Sequence, residues 1–296
     1  IALIDVAEVN VAAFCREHRI SRDTFYKIRC RYLDEGDAGI EARSRAPIRV
    51  WNRTPVVVED RIVKLRKELT DAGLDNGPET IWWHLQQAGD VTVPSVSTIW
   101  RILVAGGFIT PDSSKSPNKV WKRFVADQPN ELWQIDATHI ELANSAEVDI
   151  VNIIDDHSRV CVASVAIDSS TTGPDAWKAV VSAAHQWGLP ATVLSDNGAP
   201  FTSNLFTTNL ATLDIGHKRS SPYHPQTCGK VERFHQTLKK RLASRSAPAT
   251  VAELQNELDT FCDIYNTKRP HRSIGRNTPK TVFDATPKAV PQTRSV

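Results

Sequence analysis

The sequence predicts a multidomain protein in which all-α domains at the N-terminus precede an α/β domain. Its 296 residues are more than a single hydrophobic core usually organises. Apolar residues recur at helical spacing up to about residue 103 and in strand-like runs from residue 132 onward. Charge also divides along the chain. Residues 128–215 hold two Lys or Arg against eleven Asp or Glu, whereas residues 216–296 hold fifteen against six.

Residues 1–50 are predicted to form a helix-turn-helix domain. Helical spacing continues through residues 8–35 with a break at 19–21, where Ser21 is a suitable N-cap, and Gly36 follows the end of the second helix. In a helix-turn-helix the second helix enters the major groove of DNA. Its candidate DNA-binding residues are Arg22, Lys27 and Arg29. An ordinary helical hairpin explains the same pattern, so both interpretations stay open.

Residues 51–110 are predicted to form a second helical domain that binds DNA. Helical spacing covers residues 57–69, 78–87 and 95–103, and Arg101 is the groove-facing basic residue of the last helix. The tryptophans of this segment are expected in its core rather than stacked on bases: Trp82, Trp83 and Trp100. A linker with prolines and lysines is predicted at residues 111–127.

Residues 128–245 are predicted to form the α/β domain. Strand-like runs occupy residues 132–142, 148–154 and 160–167, and a helix at 174–187 leads to a short buried strand at 191–194. Three meandering strands followed by alternating helix and strand describe a mixed sheet. Residues 246–296 are expected to be a helical and basic tail.

Composition excludes several classes of protein. No apolar run approaches the ~18 residues of a membrane span, and the first twenty residues do not resemble a signal peptide. The five cysteines form no C-x-x-C pair, which argues against a structural zinc site and favours a reducing cytosol. The chain begins with Ile and contains no Met, so we expect that some sequence is missing at the front.

Three carboxylates are the candidate catalytic and metal-binding residues. Asp136 lies in the first strand, Asp196 follows the fourth, and Glu232 begins a helix at 229–243, with thirty-five residues between the last two. Carboxylates at the ends of neighbouring central strands can converge, and a glutamate on a helix crossing the sheet can complete the set. Oxygen ligands without a His or Cys cluster favour Mg²⁺ or Mn²⁺ over zinc. Two ions would stabilise both oxygens of a displacement at phosphorus.

Neighbouring charges offer further candidates. Asp155 and Asp156 compete with Asp136 for the metal role on chemistry alone, although their place in a turn favours a structural role with Arg159. Around Glu232, the candidate DNA-binding residues are Lys230, Arg233 and Lys239. Favourable charge at a helix end explains Lys239 equally well. The loop at 220–228 is expected to line the site.

Four motifs follow one another in the second half of the chain. They are Trp133-Gln134-Ile135-Asp136-Ala137-Thr138, Asp155-Asp156-His157-Ser158-Arg159, Ser195-Asp196-Asn197-Gly198, and Tyr223-His224-Pro225-Gln226-Thr227 with Gly229-Lys230 and Glu232-Arg233. In this order and with this spacing they resemble the integrase catalytic core, and most closely that of bacterial insertion-sequence transposases of the IS3 and IS481 type. The resemblance covers most of residues 120–285.

The resemblance implies an RNase H-like fold, with a five-stranded mixed sheet flanked by helices. It implies a DDE transposase that cuts element ends and joins them to target DNA, using Asp136, Asp196 and Glu232 with two Mg²⁺ ions. Its partners would be the terminal repeats, the target DNA and further copies of the chain, as a homodimer or higher oligomer in the bacterial cytoplasm, with no membrane. Departures from relatives include Cys228, where related transposases often have Asn or Asp.

Two rival functions follow from the same residues. An RNase H-like nuclease would share the core and the metal chemistry but would have little use for two helical DNA-binding domains. A DNA-binding regulator derived from a transposase would be catalytically idle, and its carboxylates would be free to change. All three carboxylates are present, which favours the enzyme over the regulator.

Overall fold

The computed structural model describes residues 9–42, 53–89, 92–112, 125–220 and 229–292. Most of the linker predicted at 111–127 and the loop predicted to line the site at 220–228 lie outside these residues. Contacts group the chain into two compact units, residues 1–53 and 54–296. Across the described part of the chain, no helix combines the length and the apolar character that crossing a membrane requires.

The first unit contains two helices, α1 (Val11–Glu17) and α2 (Arg22–Glu35), followed by a 3₁₀ turn at Gly36–Ile40. Ser21 caps α2, because its side chain accepts the backbone N–H of Thr24. Phe25 is fully buried, with its ring 5.7 Å from that of Phe14 on α1. The predicted pair of helices and the break before Ser21 are therefore confirmed.

Three helices follow in the second unit: α3 (Val56–Asp71), α4 (Pro78–Gln87) and α5 (Val96–Ala105). They share a small apolar core that includes Ile62, Ile81, Leu85, Ile99 and Leu103. Trp82 and Trp83 are half-buried, but Trp100 is 41% exposed, so its predicted core position is wrong. The reason is helical geometry, because successive residues point about 100° apart and Ile99 already faces the core.

Five strands of the described residues form one mixed sheet in the order β3-β2-β1-β4-β5. The strands are β1 (Trp133–Glu141), β2 (Glu147–Asp155), β3 (Cys161–Ile167), β4 (Thr192–Ser195) and β5 (Gly216–Arg219). The first three pair antiparallel, and β4 pairs parallel with both β1 and β5. The predicted mixed sheet is confirmed, and β1 is its central strand.

Helices cover both faces of this sheet. They are α6 (Gly173–Trp187), α7 (Ala199–Thr202), α8 (Asn204–Thr212), α9 (Gly229–Ala243), α10 (Val251–Lys268) and α11 (Pro279–Ala285). One apolar cluster joins Trp133 and Ile135 of β1 to α6 and α8. A second cluster lies under α9 and α10. Because side chains alternate along a strand, Gln134 and Asp136 are on the α9 face of the sheet.

Arginines of the C-terminal segment contact the second helical group, within the same compact unit. Arg269 pairs with Asp75 at 2.6 Å, and Arg272 and Arg276 both lie within 4 Å of Glu79. Arg241 of α9 donates to the backbone carbonyl of Ala72. Part of the basic character of residues 216–296 is therefore matched by acidic side chains of the same chain.

Candidate active site

Asp136 lies in the middle of the central strand, on the face that α9 covers. One carboxylate oxygen accepts the backbone N–H of Ala137 at 2.9 Å, and the side chain is 22% exposed. Burial raises the pKa of Asp136, the Ala137 hydrogen bond opposes this, and the negative charges of Asp196 and Glu232 add to the rise, for a net value of about 6. Both of the other carboxylates of the sequence motifs are thus close enough to affect Asp136.

Parallel pairing brings Asp196 to the same end of the sheet. Trp133 pairs with Val193 and Gln134 with Leu194. The same offset along the chain relates Asp136 to Asp196, which lies just beyond the last paired residues and the end of β4. Beyond β4, one oxygen of Asp196 accepts the backbone N–H of Gly198 at 2.8 Å. The Asp-Asn-Gly sequence is therefore a turn that orients the aspartate.

Space for a side chain is limited at Gly198, in the turn after β4. A Cβ at Gly198 would lie 2.9 Å from a carboxylate oxygen of Asp196, closer than side chains normally approach. Asn197 anchors the turn from the other side, since its amide donates to the carbonyl of Ser220 at 2.9 Å. The Asp-Asn-Gly motif thus links the ends of β4 and β5.

Glu232 lies in the first turn of α9, with an exposed side chain. The apolar face of the helix, which includes Val231, Phe234 and Leu238, is buried against the sheet. That packing holds α9 over β1 and leaves Glu232 near Asp136. A carboxylate near the positive end of a helix is also stabilised electrostatically.

The three carboxylates provide donor chemistry that fits a hard divalent cation. Oxygen ligands suit Mg²⁺ and Mn²⁺, and a cation between like charges relieves the repulsion that raises the pKa of Asp136. Among the described residues, no three His, Cys, Asp or Glu side chains stand in coordinating geometry. Asp196 and Glu232 are thus near enough to influence the pKa of Asp136, but in this structure the three side chains are not arranged as a set of metal ligands.

His235 lies one turn after Glu232 and faces Asp136. Its Nδ1 is 3.7 Å from a carboxylate oxygen of Asp136, which is too long for a hydrogen bond. Burial, with a smaller contribution from the charge of Lys239, lowers the pKa of His235 to about 4. The imidazole is therefore neutral at pH 7, and the contact is not an ion pair. Within the described structure its buried Nε2 has no hydrogen-bond partner.

Asp155 has a structural role in the turn after β2. Its carboxylate accepts the backbone N–H and the hydroxyl of Ser158, at 2.7 and 2.5 Å, and the backbone N–H of Asn130 at 2.7 Å. The side chain is fully buried, and burial raises its pKa while these hydrogen bonds oppose the rise. With its oxygens engaged in the turn, Asp155 is not a competitor of Asp136 for metal.

Asp156 also has hydrogen-bond partners, and one of them is Gln134, a residue of the first motif for which the sequence predicted no role. Its carboxylate accepts Gln134 Nε2 at 2.7 Å and the backbone N–H of Ala126 at 2.8 Å, and it pairs with Lys230 Nζ at 2.5 Å. The predicted partner Arg159 donates to the backbone carbonyl of Asp156. Strand alternation could have indicated Gln134, because it lies two residues before Asp136 on the same face.

The predicted DNA-binding residues are distributed over both units. Arg22 and Lys27 are exposed on α2, where Lys27 pairs with Asp23, and Arg29 is half-buried. Arg101 is exposed on α5. On α9, Arg233 and Lys239 are exposed, whereas the side chain of Lys230 is only 18% exposed and is paired with Asp156. The contacts of these residues with DNA stay predictions.

Family comparisons agree with this geometry. Two family models described as integrase core domain match residues 126–225 and 213–279, and together they span just over half of the chain. A model described as homeodomain-like domain matches residues 24–103. With the five-stranded mixed sheet and its covering helices, these matches confirm the predicted integrase core and the helix-turn-helix-like region that precedes it in the chain.

Individual relatives include mobile-element and viral proteins. An uncharacterized 39.2 kDa protein of insertion element IS476 from Xanthomonas euvesicatoria is 27% identical over 53% of this chain and 45% of its own length. A putative integrase, ORF3 of Spiroplasma virus SpV1-C74, is 30% identical over 44% of this chain and 40% of its own length. This chain thus spans less than half of either relative.

Among solved structures, the magnesium complex of the HTLV-2 integrase catalytic core domain in its trimeric form is similar to part of this chain. It is 21% identical, with a TM-score of 0.44, over 53% of this chain and 98% of that one.

Proposed function

Residues 126–279 make this chain a member of the integrase core family, and we propose that it is a DDE transposase that cleaves the ends of a mobile element and joins them to target DNA. The observation that carries the proposal is the electrostatic effect of Asp196 and Glu232 on Asp136. Together with burial, the negative charges of these two carboxylates raise the pKa of Asp136. The three residues come from the central strand, from the end of its parallel neighbour and from the helix that covers this face of the sheet.

The chemistry follows from the residues themselves. Asp136, Asp196 and Glu232 would hold divalent ions, which supply Lewis acidity to the attacking oxygen and to the departing 3′ oxygen. The positions of the carboxylates are set by β1, the Asp-Asn-Gly turn and α9, and these elements would thereby fix where the ions and the scissile phosphate lie. Water is the attacking group in cleavage, and the freed 3′-OH takes its place in strand transfer. No covalent intermediate with the protein is needed.

The helical segments supply recognition in this proposal. The homeodomain-like match supports DNA binding by the predicted domains at 1–50 and 51–110, through Arg22, Lys27, Arg29 and Arg101. Basic residues within 216–296 would hold DNA by phosphate contacts, so binding should weaken steeply as salt rises. Joining two ends requires two active sites, and we propose that the chain acts as a dimer or larger assembly in the bacterial cytoplasm.

The test is cleavage and joining by purified protein. Asp136→Asn, Asp196→Asn and Glu232→Gln should each reduce Mg²⁺-dependent cleavage of labelled element ends by at least about a thousandfold, because each removes a proposed metal ligand. Binding of the same DNA, measured by mobility shift, should stay within about twofold, since binding depends mainly on phosphate and groove contacts. Mg²⁺-dependent cleavage by all three variants would refute the assignment.

A nuclease without strand transfer is the second candidate, because the same carboxylates serve hydrolysis. A supercoiled plasmid mixed with labelled, pre-cleaved ends separates the two functions. Joined products support transposition, whereas nicks alone support the nuclease.

A further inference from the structure

A buried polar cluster ties the strand of Asp136 to the helix of Glu232. We define it as Gln134, Asp156 and Lys230, which come from β1, from the turn after β2 and from the first turn of α9. Gln134 and Asp156 are 2% and 0% exposed. Asp156 binds the other two at once, through Gln134 Nε2 at 2.7 Å and Lys230 Nζ at 2.5 Å. One carboxylate therefore connects both elements.

Gln134 makes a second link to α9. Its side-chain oxygen accepts the backbone N–H of Val231 at 3.4 Å. The first N–H groups of a helix have no partner inside that helix, so Gln134 acts as a cap supplied by another element. The amide of Gln134 thus contacts the start of α9 directly with its oxygen and the carboxylate of Asp156 with its nitrogen.

Sequence spacing connects the cluster to the active site. Gln134 lies two residues before Asp136 on the same face of β1, and Lys230 lies two residues before Glu232 in the same helical turn. A shift of the first turn of α9 would therefore change the distance between Glu232 and Asp136. The apolar face of α9 resists lateral displacement, but directional bonds at its N-terminus are needed to set axial position and rotation, because apolar contacts are non-directional.

The environment of Lys230 argues for this role over a direct contact with DNA. Its side chain is largely buried, and besides the carboxylate it bonds the backbone carbonyl of Asp156 at 3.2 Å. To reach DNA it would have to break its ion pair with the buried carboxylate of Asp156, which is unfavourable. Arg233 and Lys239 are exposed on the same helix and need no such rearrangement.

We propose that Gln134, Asp156 and Lys230 are positioning residues that set the location of Glu232 relative to Asp136. This role rests on the proposed function only in its effect on catalysis. Its structural part, the restraint of the first turn of α9, is independent of which reaction the carboxylates perform.

The test compares Asp156→Asn, Lys230→Met and their double variant in the full chain. At saturating DNA and Mg²⁺, each single variant should cleave about 10- to 100-fold more slowly, because small misplacements of reacting groups have effects of this size. The double variant should be no slower than the worse single variant, since both remove one interaction. DNA affinity should change less than about twofold in these variants. Lys230→Arg, which keeps the positive charge, should retain most of the wild-type cleavage rate.

Hydrogen exchange supplies a readout that does not depend on activity. Amides of residues 232–236 should exchange at least about tenfold faster in Asp156→Asn, whereas amides within α10 should keep their rates, because local opening affects one cooperative unit. The matched controls are Asp284→Asn, from an exposed Asp–Lys pair on α11, and Lys178→Met, an exposed lysine of α6. Both should leave cleavage and exchange in α9 unchanged.

Three results would overturn the positioning role. Unchanged exchange at 232–236 would show that the cluster does not restrain α9, and equal acceleration in α10 would show only a general loss of stability. Weaker DNA binding by Lys230→Met, with an unchanged maximal rate, would assign Lys230 to DNA instead. If the wild-type protein fails to cleave DNA with Mg²⁺, the proposed function fails, while the exchange result still decides whether the cluster positions α9.

Discussion

At the scale of single residues, Asp136 has the most informative environment in the site. Burial and two neighbouring carboxylates raise its pKa to about 6. An ordinary structural aspartate on a buried strand would be expected to have a cation or several N–H donors nearby. Among the described residues, Asp136 instead has one backbone donor, a neutral imidazole and two like charges near it. This arrangement costs stability in the protein alone and is relieved by a bound cation.

The stability of the metal-free protein should therefore depend on Asp136 in a defined pH range. The folded protein holds the Asp136 proton more tightly than the unfolded chain, so stability falls as pH rises from about 4 to about 6. Asp136→Asn should raise the free energy of unfolding at pH 7 by about 1–2 kcal/mol, a value reduced for partial exposure. Thermal unfolding in EDTA at pH 7 and at pH 4 measures it.

The gain should shrink at pH 4, where the wild-type carboxyl is largely protonated. Added Mn²⁺ should raise the melting temperature of the wild-type protein at pH 7 and have a smaller effect on Asp136→Asn, because binding to the folded state stabilises it. A variant that is less stable than the wild type at pH 7, in EDTA, would contradict the repulsion at Asp136.

At the scale of structural elements, the turn after β4 connects a sequence motif with the orientation of a side chain. Gly198→Ala would place its Cβ against Asp196, so the aspartate or the turn has to move. We expect cleavage about tenfold slower or more, with a small change in melting temperature. Gly77→Ala is the matched control, because a Cβ there would meet no atom within 4 Å. Equal cleavage rates for both variants would show that the turn does not orient Asp196.

Most elements of the sheet could be predicted because their patterns are long. The first three predicted strands differ from β1, β2 and β3 by one residue at each end or less, since β-branched runs in a half-buried sheet have a clear period of two. No sequence pattern singled out β5 or α7, which have four residues each. Such short segments are held by their neighbours in the fold and carry too few residues for a periodic signal.

At the scale of the whole molecule, the second helical group and the C-terminal segment are joined by charge. Arg269 pairs with Asp75 while lying 5.1 Å from the ring of Tyr265. The buried ring and the pair leave Arg269 only 18% exposed. The charge imbalance of the sequence suggested a surface for a polyanion, but this part of the basic segment has an internal acidic partner.

Breaking this pair should weaken the packing of α3 and α4 on the C-terminal segment. We expect Asp75→Ala to lower the free energy of unfolding by about 1–3 kcal/mol, because it leaves a largely buried guanidinium without its carboxylate. Glu68→Ala is the control, since its pair with Lys64 is exposed and long, at 3.9 Å. Denaturant unfolding of both variants provides the comparison. Similar small losses for both would show that the Asp75 pair contributes no more than a surface ion pair.

The sequence by itself determined the long helices and strands and which carboxylates are candidates. Apolar periodicity is a local property, and the motifs around Asp136, Asp196 and Glu232 are contiguous, so both can be recognised without coordinates. Only the tertiary structure revealed the contact between Asp156 and Lys230. Seventy-three residues separate the two in the sequence, and they meet because of how the sheet and α9 pack together. A contact of that kind depends on strand register and helix packing, which no local pattern records.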